Sequence, residues 1–349
     1  MTALLEARNV TKIFGAGLLT KTRTVALENF SLAIASSPPS FTAVVGESGS
    51  GKTTLARLLL GLATPTSGEV LYGGKDVRRM SRAEHRTFLR EVQVVFQDPY
   101  EVYNPFYNVD HVLETPIAKF GLARSRKQRR ALIEEALHAV GLRPEETLGR
   151  FPHQLSGGQR QRIMVARALL LRPRVIIADE PVSMVDASLR ATILKSLANL
   201  NQQFGISFIY ITHDLTTAYQ VSENIIVLYR GVVAEVGDVE HVVQDSQHPY
   251  TQLLVGSIPL PNPHRPWAAA KKPAAIGTAT AESCKFTERC PYAMPICIER
   301  QPPLFRTDPR RVAACYLYRD APAIRPEELT SILVGAPTGS PQGDAAADS

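Results

Sequence analysis

Long apolar runs are missing from this chain. No stretch approaches the ~20 uncharged residues that a membrane-crossing helix needs, and residues 1–6 hold no basic region followed by a greasy one. The expectation is a chain that works in the cytoplasm. An excess of one charge is also missing: 39 Lys and Arg stand against 33 Asp and Glu, a formal net charge of +6. On 349 residues that reads as a solvated surface rather than a nucleic-acid footprint, so no nucleic-acid partner is expected. Cysteine is scarce, and the four that occur, Cys284, Cys290, Cys297 and Cys315, all lie near the C-terminus. Such grouping points to one shared site. No long internal repeat is found. With 44% hydrophobic and 21% charged residues, the composition excludes a chain that is disordered or collagen-like throughout.

What is present is an alternation. From residue 4 to about 237, short β-rich apolar runs alternate with helical patterns, the order expected of an α/β fold with a largely parallel sheet. Residues 41–45, 175–178 and 206–211 read as buried strands, and in such folds function sits where strands end. Leu189, Ile193, Leu197 and Leu200 recur at helical spacing before a stop at Gly205. Leu132, Ile133, Ala136, Leu137 and Val140 do the same before Gly141, and both stripes are expected to face the core. From about 98 to 155 no strand is convincing, which suggests a helical subdomain inserted into the sheet domain, placed at about 98–172. Beyond Gly237 the chain becomes proline-rich at 257–263 and then alanine-rich, the mark of a poorly packed connection. Residues 335–349, rich in Gly, Ala, Pro and Asp, are expected to be disordered.

Gly46-Glu47-Ser48-Gly49-Ser50-Gly51-Lys52-Thr53 fits the GxxxxGK[ST] spacing of a phosphate loop, between a predicted strand and a helical run over 54–62. Glycines let backbone N–H groups turn inward around phosphates, and the helix start adds the positive end of its dipole. Lys52 supplies a mobile cation and Thr53 a hydroxyl for Mg²⁺. The candidate ATP-binding residues are therefore Gly46, Ser48, Gly49, Ser50, Gly51, Lys52, Thr53 and Thr54, with Asp179. Asp179 and Glu180 place two carboxylates at the end of a buried strand. Asp179 would hold Mg²⁺, directly or through water, while Glu180 would orient and deprotonate the attacking water. An Asp-Glu pair alone is usually a solvated strand end; the phosphate loop reverses that reading.

Leu155-Ser156-Gly157-Gly158-Gln159, followed by Arg160-Gln161-Arg162, resembles the signature of the ATP-binding cassette (ABC) family. It stands after the phosphate loop and just before the strand that ends at Asp179-Glu180. The resemblance covers residues 4 to about 245 and implies a phosphate-loop NTPase core. Ser156, Gly157, Gly158 and Gln159 are then implied to meet, with a hydroxyl, backbone donors and a helix dipole, the ATP held by a second cassette. The resemblance also implies that Gln97 contacts metal or water and signals to membrane subunits, that His213 contacts the terminal phosphate, and that Phe14 stacks on adenine. Glu180, His213 and Gln97 become the catalytic set, and Thr53, Gln97 and Asp179 the Mg²⁺ set. Two stretches depart from the family pattern. Met184 and Val185 stand where Ala-Leu is common, and residues 100–103 are bulkier than the small polar residues that usually precede Asn104-Pro105.

His248-Pro249-Tyr250-Thr251, with Ile258-Pro259 beyond, and Arg289-Cys290-Pro291-Tyr292-Ala293 resemble the oligopeptide and dipeptide importer ATPases. This narrower resemblance implies a nucleotide-binding domain over 1–245, a C-terminal domain over 246–334, and a four-iron, four-sulfur (4Fe-4S) cluster on Cys284, Cys290, Cys297 and Cys315. The spacings lack the close pairs that structural zinc prefers, and zinc or free thiols stay open as alternatives. The implied function is ATP hydrolysis driving import of short peptides or a similar solute. The implied partners are two transmembrane permease subunits, a second ATPase subunit, identical or paralogous, and an extracytoplasmic solute-binding protein. The chain itself would be peripheral, on the cytoplasmic face of the membrane. The rival class is a soluble cassette ATPase acting on nucleic acid or ribosomes. Such proteins commonly carry two cassettes or a long coiled-coil insertion, and this sequence has neither.

Overall fold

The computed structural model describes residues 3–15, 23–98, 103–258, 273–274 and 278–333. The proline-rich connection from 259, the tail at 335–349 and the unusual residues 100–102 lie outside the described residues. The chain opens with two long antiparallel strands, β1 (Ala3–Phe14) and β2 (Thr24–Ala35), and then enters β3 (Phe41–Val45), buried along its whole length. The phosphate loop follows and leads into helix α1 (Lys52–Leu59). β4 (Ser67–Tyr72) and β5 (Lys75–Asp76) return beside β1, giving a four-stranded antiparallel sheet of order β2-β1-β4-β5. Helix α2 (Arg82–Glu91) starts on a capping box between Ser81 and Glu84 and runs into β6 (Val92–Val95).

Only helices occupy the described residues between β6 and the next strand. They are α3 (Asp110–Phe120), α4 (Arg126–Ala139), α5 (Pro144–Thr147) and α6 (Gly157–Leu169), with a short 3₁₀ turn at Pro152–Gln154. In α4 the predicted stripe is observed: Ile133, Ala136 and Leu137 are buried, and left-handed Gly141 follows the helix end. Then come β7 (Val175–Asp179), α7 (Ala187–Phe204), β8 (Ser207–Thr212), α8 (Leu215–Val221), β9 (Asn224–Tyr229) and β10 (Val232–Asp238). Helix α7 buries Ile193, Leu197 and Leu200 and stops at Gly205, whose φ of 66° an L residue rarely adopts.

β9, β3, β8, β7 and β6 are mutually parallel and form the centre of a nine-stranded sheet. Strand side chains alternate in direction, so one strand feeds two cores. Phe41, Ala43, Val45, Ile176, Ala178, Phe208 and Tyr210 join the core shared with α3, α4, α6 and α7. Val44, Ile177, Ile209 and Ile211 join the other, shared with α1, β1 and β2. Burial on both faces is why these strands read as unbroken apolar runs.

The rest of the chain extends this sheet. After α9 (Val239–Gln244), α10 (Pro249–Gly256) and α11 (Pro295–Glu299), strands β11 (Leu304–Asp308), β12 (Arg311–Ala313) and β13 (Ala323–Ile324) complete the order β13-β11-β12-β10-β9-β3-β8-β7-β6. β12 pairs antiparallel with β10, from Glu235↔Ala313 to Gly237↔Arg311. The last helix, α12 (Leu329–Leu333), puts Leu329, Ile332 and Leu333 into the second core, and the Asn9 amide donates to Glu327. The C-terminal segment is thus hydrogen-bonded into the same sheet as the phosphate loop.

Candidate functional site

The loop between β3 and α1 is pressed against two neighbouring strands, and this explains its glycines. A Cβ on Gly46 would meet the Leu228 carbonyl oxygen at 2.2 Å, and one on Gly51, where φ is +103°, would meet that of Ala26 at 2.3 Å. Lys52 opens α1 with its side chain buried, and Nζ donates to the carbonyls of Gly46 (2.7 Å) and Glu47 (2.9 Å). Burial lowers its pKa, while the charges of Glu180, Asp179 and Glu47 act in the opposite sense. The ammonium is therefore held inside its own loop, where an anionic phosphate would compete for it.

The acidic pair stands at the end of β7. Asp179 is buried, and its pKa is raised first by that burial and then by the charge of Glu180; a hydrogen bond with the Thr53 side chain works against both. Glu180 has φ +48°, a conformation that costs a non-glycine residue energy and persists only when its surroundings impose it. Here its N–H donates to Ile211 O (2.8 Å) and its carbonyl accepts from Ser183 Oγ (3.0 Å). Because β7 and β8 are adjacent and parallel, with Asp179 opposite Ile211, their ends bring Glu180 to His213. Glu180 Oε1 lies 3.0 Å from His213 Nδ1.

Most of the predicted residues line one cleft of about 820 Å³. Phe14, Gly46, Ser48, Gly49, Gly51, Lys52, Thr53, Thr54, Gln97, Glu180 and His213 are all in its wall. Ser50 and Asp179 are not on that surface but are buried behind it, Ser50 with its Oγ 3.4 Å from Lys52 Nζ. Phe14 is half-exposed, with Lys12 Nζ 5.0 Å from its ring centre. The signature residues are elsewhere: Ser156, Gly157, Gly158 and Gln159 start α6 and do not line this cleft. Ser156 Oγ accepts from Gln159 N (3.2 Å) and Gln159 Oε1 accepts from Ser156 N (2.9 Å), a capping box that keeps the Ser156 hydroxyl hydrogen available. The two departing residues pack here. A Cβ on Gly157 would stand 3.4 Å from Met184 O, and one on Gly158 3.6 Å from Val185 Cγ1.

Sequence reasoning missed several neighbours. Gln161, buried in α6, donates to Phe96 O at 3.1 Å and so ties the signature helix to the residue before Gln97. Its only signal was a polar residue on a core-facing helix. Leu254 of α10 and Thr24, Val25 and Ala26 at the start of β2 complete the cleft wall, and nothing local in the sequence marks them. Glu47, at a position the phosphate-loop spacing leaves open, also lines the cleft.

No disulfide joins the four cysteines. Cys284 N donates to Cys297 O (2.8 Å), and Thr287 Oγ1 donates to the same carbonyl (3.1 Å), so this segment folds back on itself. Burial raises the thiol pKa of Cys284, takes Cys290 to about 11 and Cys315 to about 12, and the thiols reinforce one another's shifts. Among the described residues no three His, Cys, Asp or Glu side chains are grouped so as to hold a metal ion.

A phosphate loop, an adjoining carboxylate pair and a parallel sheet behind them define a nucleotide-hydrolysing cassette. Residues 27–183 match the family described as ABC transporter, and residues 234–297 match the oligopeptide/dipeptide transporter C-terminal region. The chain is 40% identical over 284 residues to a putative oligopeptide transport ATP-binding protein, YkfD of Bacillus subtilis, covering 80% of this chain and 85% of that one. It is also 40% identical over 273 residues to the di/tripeptide transport ATP-binding protein DppF of Pseudomonas aeruginosa, covering 78% and 84%. Among solved structures it is similar to the dimeric ATP-binding cassette MJ0796 bound to ADP and Pi, with a TM-score of 0.59 and 31% identity over 67% of this chain and 98% of that one. The chain belongs to the ABC transporter ATPases, in the group of oligopeptide and dipeptide transport ATP-binding proteins. No helix among its described residues is long and apolar enough to cross a membrane.

Proposed function

We propose that this chain hydrolyses ATP in the cleft beneath the phosphate loop and thereby drives import of short peptides, seated on the cytoplasmic face of the membrane. One observation carries the reading: the phosphate loop, the Asp179-Glu180 pair, Gln97 and His213 converge although β6, β7 and β8 bring them from distant parts of the chain. Lys52 and the loop N–H groups hold the phosphates, Phe14 stacks on the base, Glu180 takes the proton of the attacking water, and His213 fixes the terminal phosphate and Glu180 together. Thr53, Asp179 and Gln97 would hold Mg²⁺, which supplies charge neutralisation when bound. Hard oxygen donors with a single carboxylate suit an ion that takes its remaining ligands from phosphates and water.

Ser156, exposed at the start of α6, completes together with Gly157, Gly158 and Gln159 the ATP site of a second cassette, identical or paralogous. Two permease subunits and an extracytoplasmic binding protein make up the rest of the assembly. The relatives named for oligopeptide and di/tripeptide transport support the class of solute. Cys284, Cys290, Cys297 and Cys315 would hold a 4Fe-4S cluster, and iron with acid-labile sulfide in the purified chain is the readout that separates this from zinc or free thiols. The domain limits follow the same reading: a nucleotide-binding domain to about 245 with helical insertion at about 98–172, then a C-terminal domain to 334.

The test is Ser156→Asp in the assembled transporter. Aspartate caps a helix as well as serine does, so α6 keeps its start, but its charge repels a phosphate. Turnover at the ATP site this helix faces is expected to fall roughly 10-fold or more, while the variant's own cleft binds ATP as before. Wild-type turnover would sink the two-cassette reading.

A further inference from the structure

Glu47 is the only acidic residue in the phosphate loop, and it lines the cleft. A carboxylate there works against a polyphosphate ligand. The structure sets a cation against it: Arg289, 242 positions away, places Nη1 2.9 Å from Glu47 Oε2 and Nη2 2.9 Å from Oε1. The fork-on-fork pairing is the strongest geometry a guanidinium can offer. The guanidinium carbon also lies 5.8 Å from the Tyr229 ring centre and 5.6 Å from that of Phe286. These rings pack on Tyr250, whose hydroxyl accepts from Glu47 N at 2.8 Å. The C-terminal segment thus grips Glu47 by both backbone and side chain. Both partners are 40% exposed, so the pair contributes little to fold stability. Its effect falls on the charge of the cleft.

We propose that Arg289 is a positioning residue of the ATP site, lent by the cysteine-bearing segment to hold Glu47 and cancel its charge beside the nucleotide phosphates. This rests on the cleft being an ATP site. Three signatures separate it from a merely structural role: ligand charge, salt and removal of the carboxylate. Without Arg289 the uncompensated Glu47 disfavours ATP more than ADP, salt screens the effect, and Glu47→Gln relieves it.

The experiment titrates the full-length chain with a fluorescent ATP analogue and with ADP. Arg289→Ala is expected to weaken ATP binding about 3–10-fold and ADP binding less, with the difference shrinking in about 1 M salt. The double variant Arg289→Ala, Glu47→Gln is expected to return to within about twofold of wild type. Wild-type affinity in Arg289→Ala, or a double variant as weak as the single one, overturns the proposal. Should Arg289→Ala fail to fold, Arg289→Lys and Arg289→Gln serve instead. Lysine keeps the charge without the fork, so affinity held by Lys and lost by Gln supports the assignment, and equal affinities overturn it. Lys52→Ala is run alongside: if it binds ATP like wild type, the reading of the cleft fails, whatever Arg289 does.

Discussion

At Glu180 the strained backbone and the proposed role of base fall on one residue. Its left-handed backbone turns the side chain toward His213 at the end of β7, and two hydrogen bonds hold that conformation. Glutamine has the same shape but cannot accept a proton from water. Glu180→Gln is therefore expected to slow hydrolysis by ~10²–10⁴-fold while ATP affinity persists, measured as single-turnover phosphate release beside nucleotide titration. Turnover near the wild-type rate would remove Glu180 from the role of base. At this scale the site was largely legible. Lys52, Thr53, Asp179 and Glu180 follow from fixed spacing and strand ends, because local backbone geometry places them. Arg289 was not, since its partner lies 242 positions away and only the folded sheet joins them.

At the scale of elements, the junction between β10 and α10 sets a pH dependence. Glu235 on β10 is fully buried, and its Oε2 accepts from Gln247 N (3.2 Å) and His248 N (2.9 Å). Burial raises its pKa to about 7, with those donors and Arg311 only partly opposing it. The neutral acid is thus favoured in the fold. Its contribution to stability is complete below the ordinary carboxylate range and is lost as pH rises through about 7. Glu235→Gln keeps an oxygen for both N–H groups and carries no charge. It is expected to match wild type near pH 5 and to exceed it by about 3 kcal/mol above pH 8, read from urea unfolding at both pH values. An unchanged difference across that range would show that the fold does not raise the pKa of Glu235. His248 acts at the other end. Its ring is buried, its pKa is pushed down to about 4 by that burial, and Nδ1 accepts from Tyr250 N (3.0 Å) to cap α10. That contribution is present above the ordinary histidine range and is lost as pH falls through about 4. None of this shows in the sequence, where His248-Pro249-Tyr250 is a marker of resemblance without a stated physical role.

For the whole molecule, the parallel centre of the sheet was readable because β3, β7 and β8 are buried on both faces and so appear as unbroken apolar runs. The far edge was not. β11 and β13 are short and partly exposed, β12 is buried but only three residues long, and the place of β12 beside β10 depends on pairing across 78 positions, as with Glu235 and Ala313. The signature helix start is outside its own cleft, and the proposal that a second molecule completes the site comes from the sequence resemblance, which local patterning could not supply. The attachment of β12 to β10 has a further consequence. A chain ending near residue 258 would keep every phosphate-loop residue yet bare the hydrogen-bonding edge of an apolar strand, an open template for strangers. Such a fragment is expected to clump on a sizing column, so that the cysteine-bearing tail serves the motor also as its selvedge, the bound margin that keeps the weave from fraying.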